Sequence, residues 1–301
     1  MQFSNKSTHA GPFHVSKPQI HNPIFTPSIR SVMPVSPLKV RNAAAVDKSP
    51  CSPIVCLTED LRADLPPELS RIYDLVEPVE LGRGSFARIR HICLKDRPSI
   101  HLALKSMEKK PLQERCMIEQ AIREVEFQQK ASTHPNIVYM CDVFEDVSHI
   151  HMVLEFCSLG NLTSYRYPLP QSTVLSVLSQ MASALRYLHD TLRVVHRDIK
   201  PDNILVASKE PNLLVKLTDF GWCAPLFGPP LVGKAGSMAF MAPEVACGGF
   251  HGTPCDLWSL GMTLRALLNG DILNFEHKCM LSPIPSQRPT AAQLAYKFPK
   301  N

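Results

Sequence analysis

The sequence lacks an apolar run long enough to cross a membrane and lacks the amino-terminal pattern of a secretory signal. A membrane-spanning helix needs roughly 18 consecutive apolar residues, and no stretch approaches that length. The start, MQFSNKSTHAGPFHV, has no basic cluster followed by an apolar core. The ten cysteines never form C-x-x-C, which argues against a zinc knuckle. Scattered thiols without a signal predict a reducing compartment. We therefore expect a cytoplasmic or nuclear location and no membrane partner.

Acidic residues are absent from residues 1–46. Residues 1–58 hold six Lys or Arg and one Asp, and this excess equals the whole formal charge of +5. The remainder of the chain is therefore formally neutral. A nucleic-acid-binding domain usually carries a basic patch, so we expect no nucleic-acid partner for the main body.

Prolines are concentrated at the start, where residues 1–67 contain ten of the 27. Such a density breaks helices and strands, and few aromatic residues are present to build a core. We predict a disordered, basic, Ser/Pro-rich tail over residues 1–70. Three interpretations stay open: an inert tail, a tail modified by an upstream proline-directed kinase, and a cleaved organelle-targeting segment. The second rests on four Ser/Thr-Pro pairs, Thr26-Pro27, Ser36-Pro37, Ser49-Pro50 and Ser52-Pro53.

Hydrophobic patterns change along the rest of the chain. Residues 73–156 alternate or bunch apolar and β-branched residues around glycine turns, which predicts antiparallel strands. Within them, residues 112–131 have the three- to four-residue periodicity of a helix. Residues 160–299 contain two long helical patterns, at 171–190 and 254–270. This segregation predicts an α+β domain over 73–299, with a strand-rich lobe at 73–156 and a helical lobe at 160–299.

Two motifs of the strand-rich part suggest nucleotide chemistry. Glycines in "GRGSFA", Gly82 to Ala87, would let backbone N–H groups approach phosphates. A plain hairpin turn is the alternative, and a strand rather than a helix follows, which argues against a dinucleotide fold. Lys105 lies in the apolar strand "LALKS", with Glu124 of the next helix as its expected partner. The alternative is a strand-edge lysine facing water.

Charged residues of the helical part lie between apolar runs. "VVHRDIKPDNILV", residues 194–206, places Asp198, Lys200 and Asn203 between hydrophobic flanks, as a loop that must hold its side chains still would. In "KLTDFGW", Asp219 ends a strand-like run beside glycine, which suits a Mg²⁺ ligand. Three further motifs follow: "MAPEV" with Glu244, "PCDLWSLG" with Asp256, and "SQRPT" with Arg288.

In this order the motifs resemble the eukaryotic protein kinase family, serine/threonine type, over residues 74–298. The resemblance leaves an Aurora-like, polo-like or autophagy-initiation-kinase-like subgroup unresolved. It implies a bilobal fold, ATP and Mg²⁺ as cofactors, and transfer of the γ-phosphate to Ser/Thr hydroxyls of protein substrates. A small-molecule kinase on a related fold is an alternative that the Ala-Pro-Glu motif disfavours.

The resemblance also implies residue roles. Asp198 would accept the hydroxyl proton, Lys200 would stabilise the transferring group, and Lys105, positioned by Glu124, would hold the α- and β-phosphates. Asn203 and Asp219 would ligate Mg²⁺. The nucleotide site would comprise Leu81, Gly82, Gly84, Ile89, Ala103, Lys105, Leu154, Glu155, Cys157 and Leu205.

Two departures from the family pattern bear on function. Residues 222–235 contain no Ser, Thr or Tyr, so Arg197 would have no phosphate partner there and activity would not need phosphorylation of that loop. The region after the helix that carries Asp256 is about thirty residues shorter than the family usually has. A weakly active nucleotide-binding scaffold is therefore the alternative function.

Overall fold

The computed structural model describes residues 65–209 and 212–299. Among these residues, no helix combines the length and apolarity that a bilayer span requires. The described chain forms the predicted strand-rich and helical lobes, so the bilobal α+β fold is confirmed.

The strand-rich lobe is built on one antiparallel sheet with strand order β1-β2-β3-β5-β4. Every strand pairs with its neighbour in antiparallel register, and Lys105 of β3 lies opposite Met152 of β5. The strands are β1 Tyr73–Arg83, β2 Ala87–Leu94, β3 His101–Glu108, β4 Met140–Glu145 and β5 His149–Glu155.

A short helix precedes this sheet, at a place where the sequence predicted the tail. Helix α1, Pro67–Ser70, packs Leu65 and Leu69 into an apolar cluster with Tyr73 and residues of the sheet. The predicted boundary at residue 70 is therefore wrong at its carboxyl end. Two of the ten prolines that suggested disorder, Pro66 and Pro67, occupy the helix start, where a missing N–H has no consequence. The rest of the predicted tail, residues 1–64, lies outside the described residues.

The predicted helix over 112–131 is two helices, α2 Lys109–Glu114 and α3 Ile118–Ala131. Cys116 separates them with a left-handed φ of 54°. Its N–H donates to the carbonyl of Gln113 at 3.0 Å, and the N–H of Met117 donates to the carbonyl of Leu112 at 2.7 Å. These two bonds form a Schellman end. The sequence did not indicate this helix end, because Cys116 occupies the left-handed position where glycine is usual.

The second lobe is mainly helical. The inward faces of its two long helices, Gln171–Arg186 and Pro254–Leu267, are fully buried in its core. Its helices are α4 Gln171–Arg186, a π turn Tyr187–Leu192, α5 Pro243–Ala246, α6 Pro254–Leu267, α7 Phe275–Met280 and α8 Ala291–Lys297. Short 3-10 turns occur at Leu162–Ser164, Pro201–Asn203, Met238–Phe240 and Pro285–Gln287. Two-stranded ladders pair β6 Val194–Val195 with β9 Ala224–Pro225, and β7 Ile204–Ser208 with β8 Leu214–Leu217.

The short region after α6 closes by packing α7 directly on α6. A Cβ at Gly261 would lie 2.9 Å from Cδ2 of Leu281 and 3.1 Å from Cβ of Met280, so a larger residue there would require both side chains to shift. The buried imidazole of His277 donates to the Gly261 carbonyl at 2.8 Å. The shortened segment is therefore packed into the lobe.

Candidate active site

Lys105 lies within ion-pair distance of two carboxylates. Its ammonium pairs with Glu124 of α3 and lies 3.0 Å from Oδ1 of Asp219. Burial alone would lower the pKa of Lys105, but the charges of Asp219 and Glu124 outweigh it and raise that pKa above its ordinary value. The ammonium is therefore charged at neutral pH. The alternative of a strand-edge lysine facing water is excluded.

Gln120 is a residue that the sequence interpretation missed. It precedes Glu124 by one helical turn on α3, so the two side chains share a face. Its amide donates to the carbonyl of Gly221, next to the Asp-Phe-Gly aspartate. One face of α3 thus contacts both Lys105 and the segment that follows Asp219. The i, i+4 spacing from Glu124 was the signal available in the sequence.

The carboxylate of Asp198 is almost fully buried and engaged on both oxygens. Oδ1 accepts from the main-chain N–H of Ser237 at 2.8 Å. Oδ2 lies 3.0 Å from the Lys200 ammonium and accepts from the Asn203 amide at 3.0 Å. Lys200 also donates to the Ser237 hydroxyl at 2.7 Å. The structure brings the predicted residues of this loop together, and Ser237 contacts Asp198 from the segment that precedes Glu244.

Gly236 allows the segment that carries Ser237 to approach this loop. A Cβ there would lie 2.1 Å from the carbonyl oxygen of Arg197, and its φ is +87°. Both facts require glycine. The hydrogen bond from Ser237 to Asp198 therefore depends on a residue whose only role is to leave space.

Asp256, at the start of α6, holds the backbone of the same loop. Its carboxylate, fully buried, accepts from the N–H groups of His196 and Arg197 at 2.8 and 2.7 Å. It also accepts from the imidazole of His189 at 2.8 Å. Burial would raise the pKa of Asp256, but hydrogen bonding to His189 and neighbouring positive charge lower it. The sequence marked Asp256 as part of a motif without giving it this role.

The two predicted metal ligands flank the open end of the β7–β8 hairpin. Asn203 precedes β7 and Asp219 follows β8, and the N–H of Thr218 donates to the Asn203 carbonyl at 3.0 Å. The Asn203 amide nitrogen faces Asp198, which leaves its oxygen as the atom suited to a cation. The charge of Lys105 lowers the pKa of Asp219 to about 2. A carboxylate and an amide oxygen placed this way fit a hard cation such as Mg²⁺.

The predicted adenine contacts belong to one apolar cluster. Ala103 and Leu154 are buried in it, and Ile89 and Leu205 pack against it from β2 and β7. Leu205 is the only one of the four from the helical lobe. The cluster therefore includes residues of both lobes beside Lys105. An adenine ring bound between the lobes would require such an apolar surface.

Comparisons with known proteins agree with this geometry. The family model described as protein kinase domain matches residues 75–286. The chain belongs to the protein kinase domain family. It is 38% identical over 199 residues to CBL-interacting serine/threonine-protein kinase 7 of Arabidopsis thaliana, covering 64% of this chain and 45% of that protein.

Two further relatives show the same partial coverage. Calcium-dependent protein kinase 19 of Oryza sativa subsp. japonica is 31% identical over 254 residues, 81% of this chain and 47% of that protein. Human ribosomal protein S6 kinase alpha-4 is 32% identical over 207 residues, 66% of this chain and 26% of that protein. The chain thus spans less than half the length of these curated relatives.

The remaining predicted nucleotide contacts of this kinase domain lie at the edge of the cleft. Leu81, Gly82 and Gly84 lie at the β1–β2 turn, where the N–H of Gly84 donates to the Ala87 carbonyl at 2.7 Å. The segment is a hairpin turn beside Ile89. Approach of its backbone N–H groups to phosphates stays a prediction.

In the segment joining the lobes, the side chain of Glu155 is already engaged by other residues of the protein. The Glu155 carboxylate accepts from the Tyr139 N–H at 2.7 Å and pairs with Lys216 at 2.6 Å. Burial raises the pKa of the Cys157 thiol to about 12, so it is not a reactive thiolate.

Arg197 contacts main chain in the segment that lacks phosphorylatable residues. Its Nε donates to the carbonyl of Trp222 at 2.7 Å, and its N–H to Asp256. The Arg197 guanidinium therefore binds the backbone of residues 222–235 without a phosphate on that segment. His196 of the same loop packs edge-on against Phe220, with ring centroids 5.2 Å apart.

Proposed function

We propose that this chain transfers the γ-phosphoryl group of ATP to serine or threonine hydroxyls of proteins. One observation carries the proposal: a buried Asp198 carboxylate lies beside the Lys200 ammonium, while Lys105 of the strand-rich lobe pairs with Glu124 of its own lobe and with Asp219 of the helical lobe. Phosphoryl transfer depends on positioned charge more than on covalent chemistry. Membership of the kinase domain family and the serine/threonine kinases among its relatives support the proposal.

The reaction assigns a separate task to each group. Asp198 takes the proton of the attacking hydroxyl, and its orientation is set by the bonds from Ser237 and Asn203. Lys200 lies beside Asp198 and stabilises negative charge on the group being transferred. Lys105 holds the non-transferred phosphates. Asn203 and Asp219 are the residues that would hold Mg²⁺, which neutralises phosphate charge when bound.

The assay that tests this proposal measures phosphate incorporation from radiolabelled ATP into a generic basic protein. We expect incorporation by the wild-type chain on serine or threonine. Incorporation equal to that of a variant lacking Asp198 would contradict it.

The alternative of a weakly active scaffold gains no support from the described residues. It rested on the short region after α6, and that region is closed by α7 against Gly261.

We predict that ATP stabilises the chain against thermal unfolding only when Mg²⁺ is present. At about 100 times Kd, a ligand adds about 2.7 kcal/mol to the free energy of unfolding. Asp219→Asn should lose most of the Mg²⁺-dependent part, because Asp219 supplies the carboxylate. Differential scanning fluorimetry with ATP, with and without EDTA, makes the measurement. An exposed control, Asp190→Asn, should keep the full shift, and equal stabilisation with and without Mg²⁺ would contradict the assigned ligands.

We also predict that treatment with a Ser/Thr phosphatase leaves the kinase rate unchanged. Arg197 already contacts the Trp222 carbonyl, and residues 222–235 offer no acceptor for phosphate. The rate is compared after phosphatase removal with a sample treated in the presence of a phosphatase inhibitor. A large loss of rate would show control by a phosphate elsewhere, such as Ser237 or the tail.

Two expectations stay predictions. One is the cytoplasmic or nuclear location. The other is modification by a proline-directed kinase of the tail, whose residues 1–64 lie outside the described structure.

A further inference from the structure

The hairpin between β4 and β5 brings three metal-ligating side chains together. The ligand atoms of Asp146, His149 and His151 all lie within 4.8 Å of one another. A tight turn sets their positions, since the N–H of Asp146 donates to the His149 carbonyl at 3.1 Å. Oδ2 of Asp146 lies 3.0 Å from Nε2 of His151, and Oδ1 lies 3.9 Å from Nδ1 of His149.

This cluster lies outside the nucleotide cleft. His151 pairs with Ser106 across the β3–β5 ladder, whereas Met152 pairs with Lys105. Side chains alternate faces along a strand, so His151 and Ser106 point away from the face that carries Lys105. The cluster is therefore separate from Asn203 and Asp219.

Two of the three side chains are oriented by neighbours before any ion binds. The Asp146 Oδ1 accepts from the N–H groups of Ser148 and His149, both at 2.7 Å. The second ring nitrogen of His151 lies 2.8 Å from the Ser106 hydroxyl. That hydroxyl can donate or accept, so it can follow the tautomer that a bound metal imposes on His151. Such outer contacts are what hold histidine ligands in metalloproteins.

The third side chain, His149, gives access from solvent. Its ring stacks on that of His151 with centroids 5.4 Å apart. It is one-third exposed and opens onto a surface cavity of about 330 Å³. The Lys109 ammonium, which also lines this cavity, is paired with Glu145 at 2.7 Å, so its positive charge is compensated.

A capped turn without metal explains only part of this arrangement. The cap uses Oδ1 of Asp146 and two backbone donors. It does not require two imidazoles, nor does it need Oδ2 to face the ring of His151. Two imidazole nitrogens and one carboxylate oxygen form a donor set that suits Zn²⁺ better than Mg²⁺ or Ca²⁺.

We propose that Asp146, His149 and His151 form a Zn²⁺ site on the outer face of the strand-rich lobe, with a remaining position open to water. Zn²⁺ bonds of about 2.0–2.2 Å require the exposed His149 to move toward the other two ligands and to give up its 2.8 Å contact with the Ser148 hydroxyl. Bound there, the ion ties the turn to β5, which pairs with the strand carrying Lys105. The proposal is independent of the kinase reaction.

A competition titration of the full chain with a chromophoric zinc chelator tests the site. Wild type should bind about one more equivalent of Zn²⁺ than Asp146→Asn or His149→Gln, because each variant removes one of three protein ligands. His149 is chosen over the buried His151, whose loss would disturb the core. His251→Gln, a histidine far from the cluster in sequence and fold, is the matched control and should bind like wild type.

Two further measurements separate this site from thiol sites elsewhere in the chain. Co²⁺ at the extra site should give a ligand-field spectrum without a thiolate charge-transfer band. Ser106→Ala, which keeps all three ligands, should weaken Zn²⁺ binding about 10–100-fold. Equal stoichiometry and affinity in wild type, Asp146→Asn and His149→Gln would overturn the proposal and leave the cluster as a turn cap. A thiolate band at the equivalent lost in those variants would overturn it as well.

Discussion

Replacing Asp198 with asparagine is expected to lower kcat by about 10²–10⁴-fold, the contribution typical of a positioned general base. The asparagine oxygen can still accept from the Ser237 N–H, but the NH2 group that replaces Oδ2 cannot accept from Lys200 or Asn203. The variant also cannot take the hydroxyl proton. We therefore expect the main loss in the rate, a KM for ATP close to that of wild type, and a somewhat lower thermal midpoint because two donors lose their acceptor.

The matched control is Asp190→Asn, which removes an exposed carboxylate eight positions earlier. It should retain the wild-type rate in the same assay. A wild-type kcat in Asp198→Asn would exclude Asp198 as the base. A collapse of ATP binding together with kcat would instead assign it to nucleotide binding, contrary to its bonds with Ser237 and Lys200.

The chemistry-bearing residues could be predicted from the sequence because their motifs recur in a fixed order. The pairing of Lys105 with Glu124 and the closeness of Asp198, Lys200 and Asn203 follow from that order and are present in the structure. Motif order says which side chains meet. It says nothing of residues that act through backbone groups.

The contacts that the sequence did not reveal are mostly of that second kind. Gln120 reaches a carbonyl of Gly221, Asp256 reaches two N–H groups, and Gly236 matters by having no side chain. In each of these contacts the partner is a backbone group or an absent side chain, so no matching residue type in the sequence indicates the contact. The break at Cys116 was missed for a related reason, since a left-handed residue other than glycine carries no compositional signal.

For the cluster at Asp146, the residue types were visible in the sequence but their proximity was not. Its three ligands lie within six positions, yet the spacing D-x-x-H-x-H is unremarkable until the turn places residue 146 opposite residue 149. Hairpin geometry and sheet register, rather than spacing alone, bring the donor atoms to one point.

Arg288→Met is expected to lower the free energy of unfolding by about 3–5 kcal/mol, because it leaves the Glu244 carboxylate without its partner in a buried site. The Arg288 side chain is fully buried and binds Glu244 through two parallel bonds of 2.7 and 2.8 Å. It also donates to the carbonyls of Pro254 and Ser282 at 3.0 and 2.9 Å. One guanidinium thus joins α5, α6 and the segment after α7, which is the shortened part of the lobe.

Urea unfolding of the two single variants and of Glu244→Met/Arg288→Met measures how much of this loss belongs to the pair. The double variant removes both charges, so it should lose less than the sum of the single losses, with a coupling of about 0.5–3 kcal/mol. The control Arg123→Met breaks an exposed pair with Glu119 on α3, whose atoms are 3.9 Å apart, and should cost under about 1 kcal/mol. If Arg288→Met cost no more than this control, the buried ion pair would not be what closes the shortened lobe, and the packing of α7 on Gly261 would have to hold it alone.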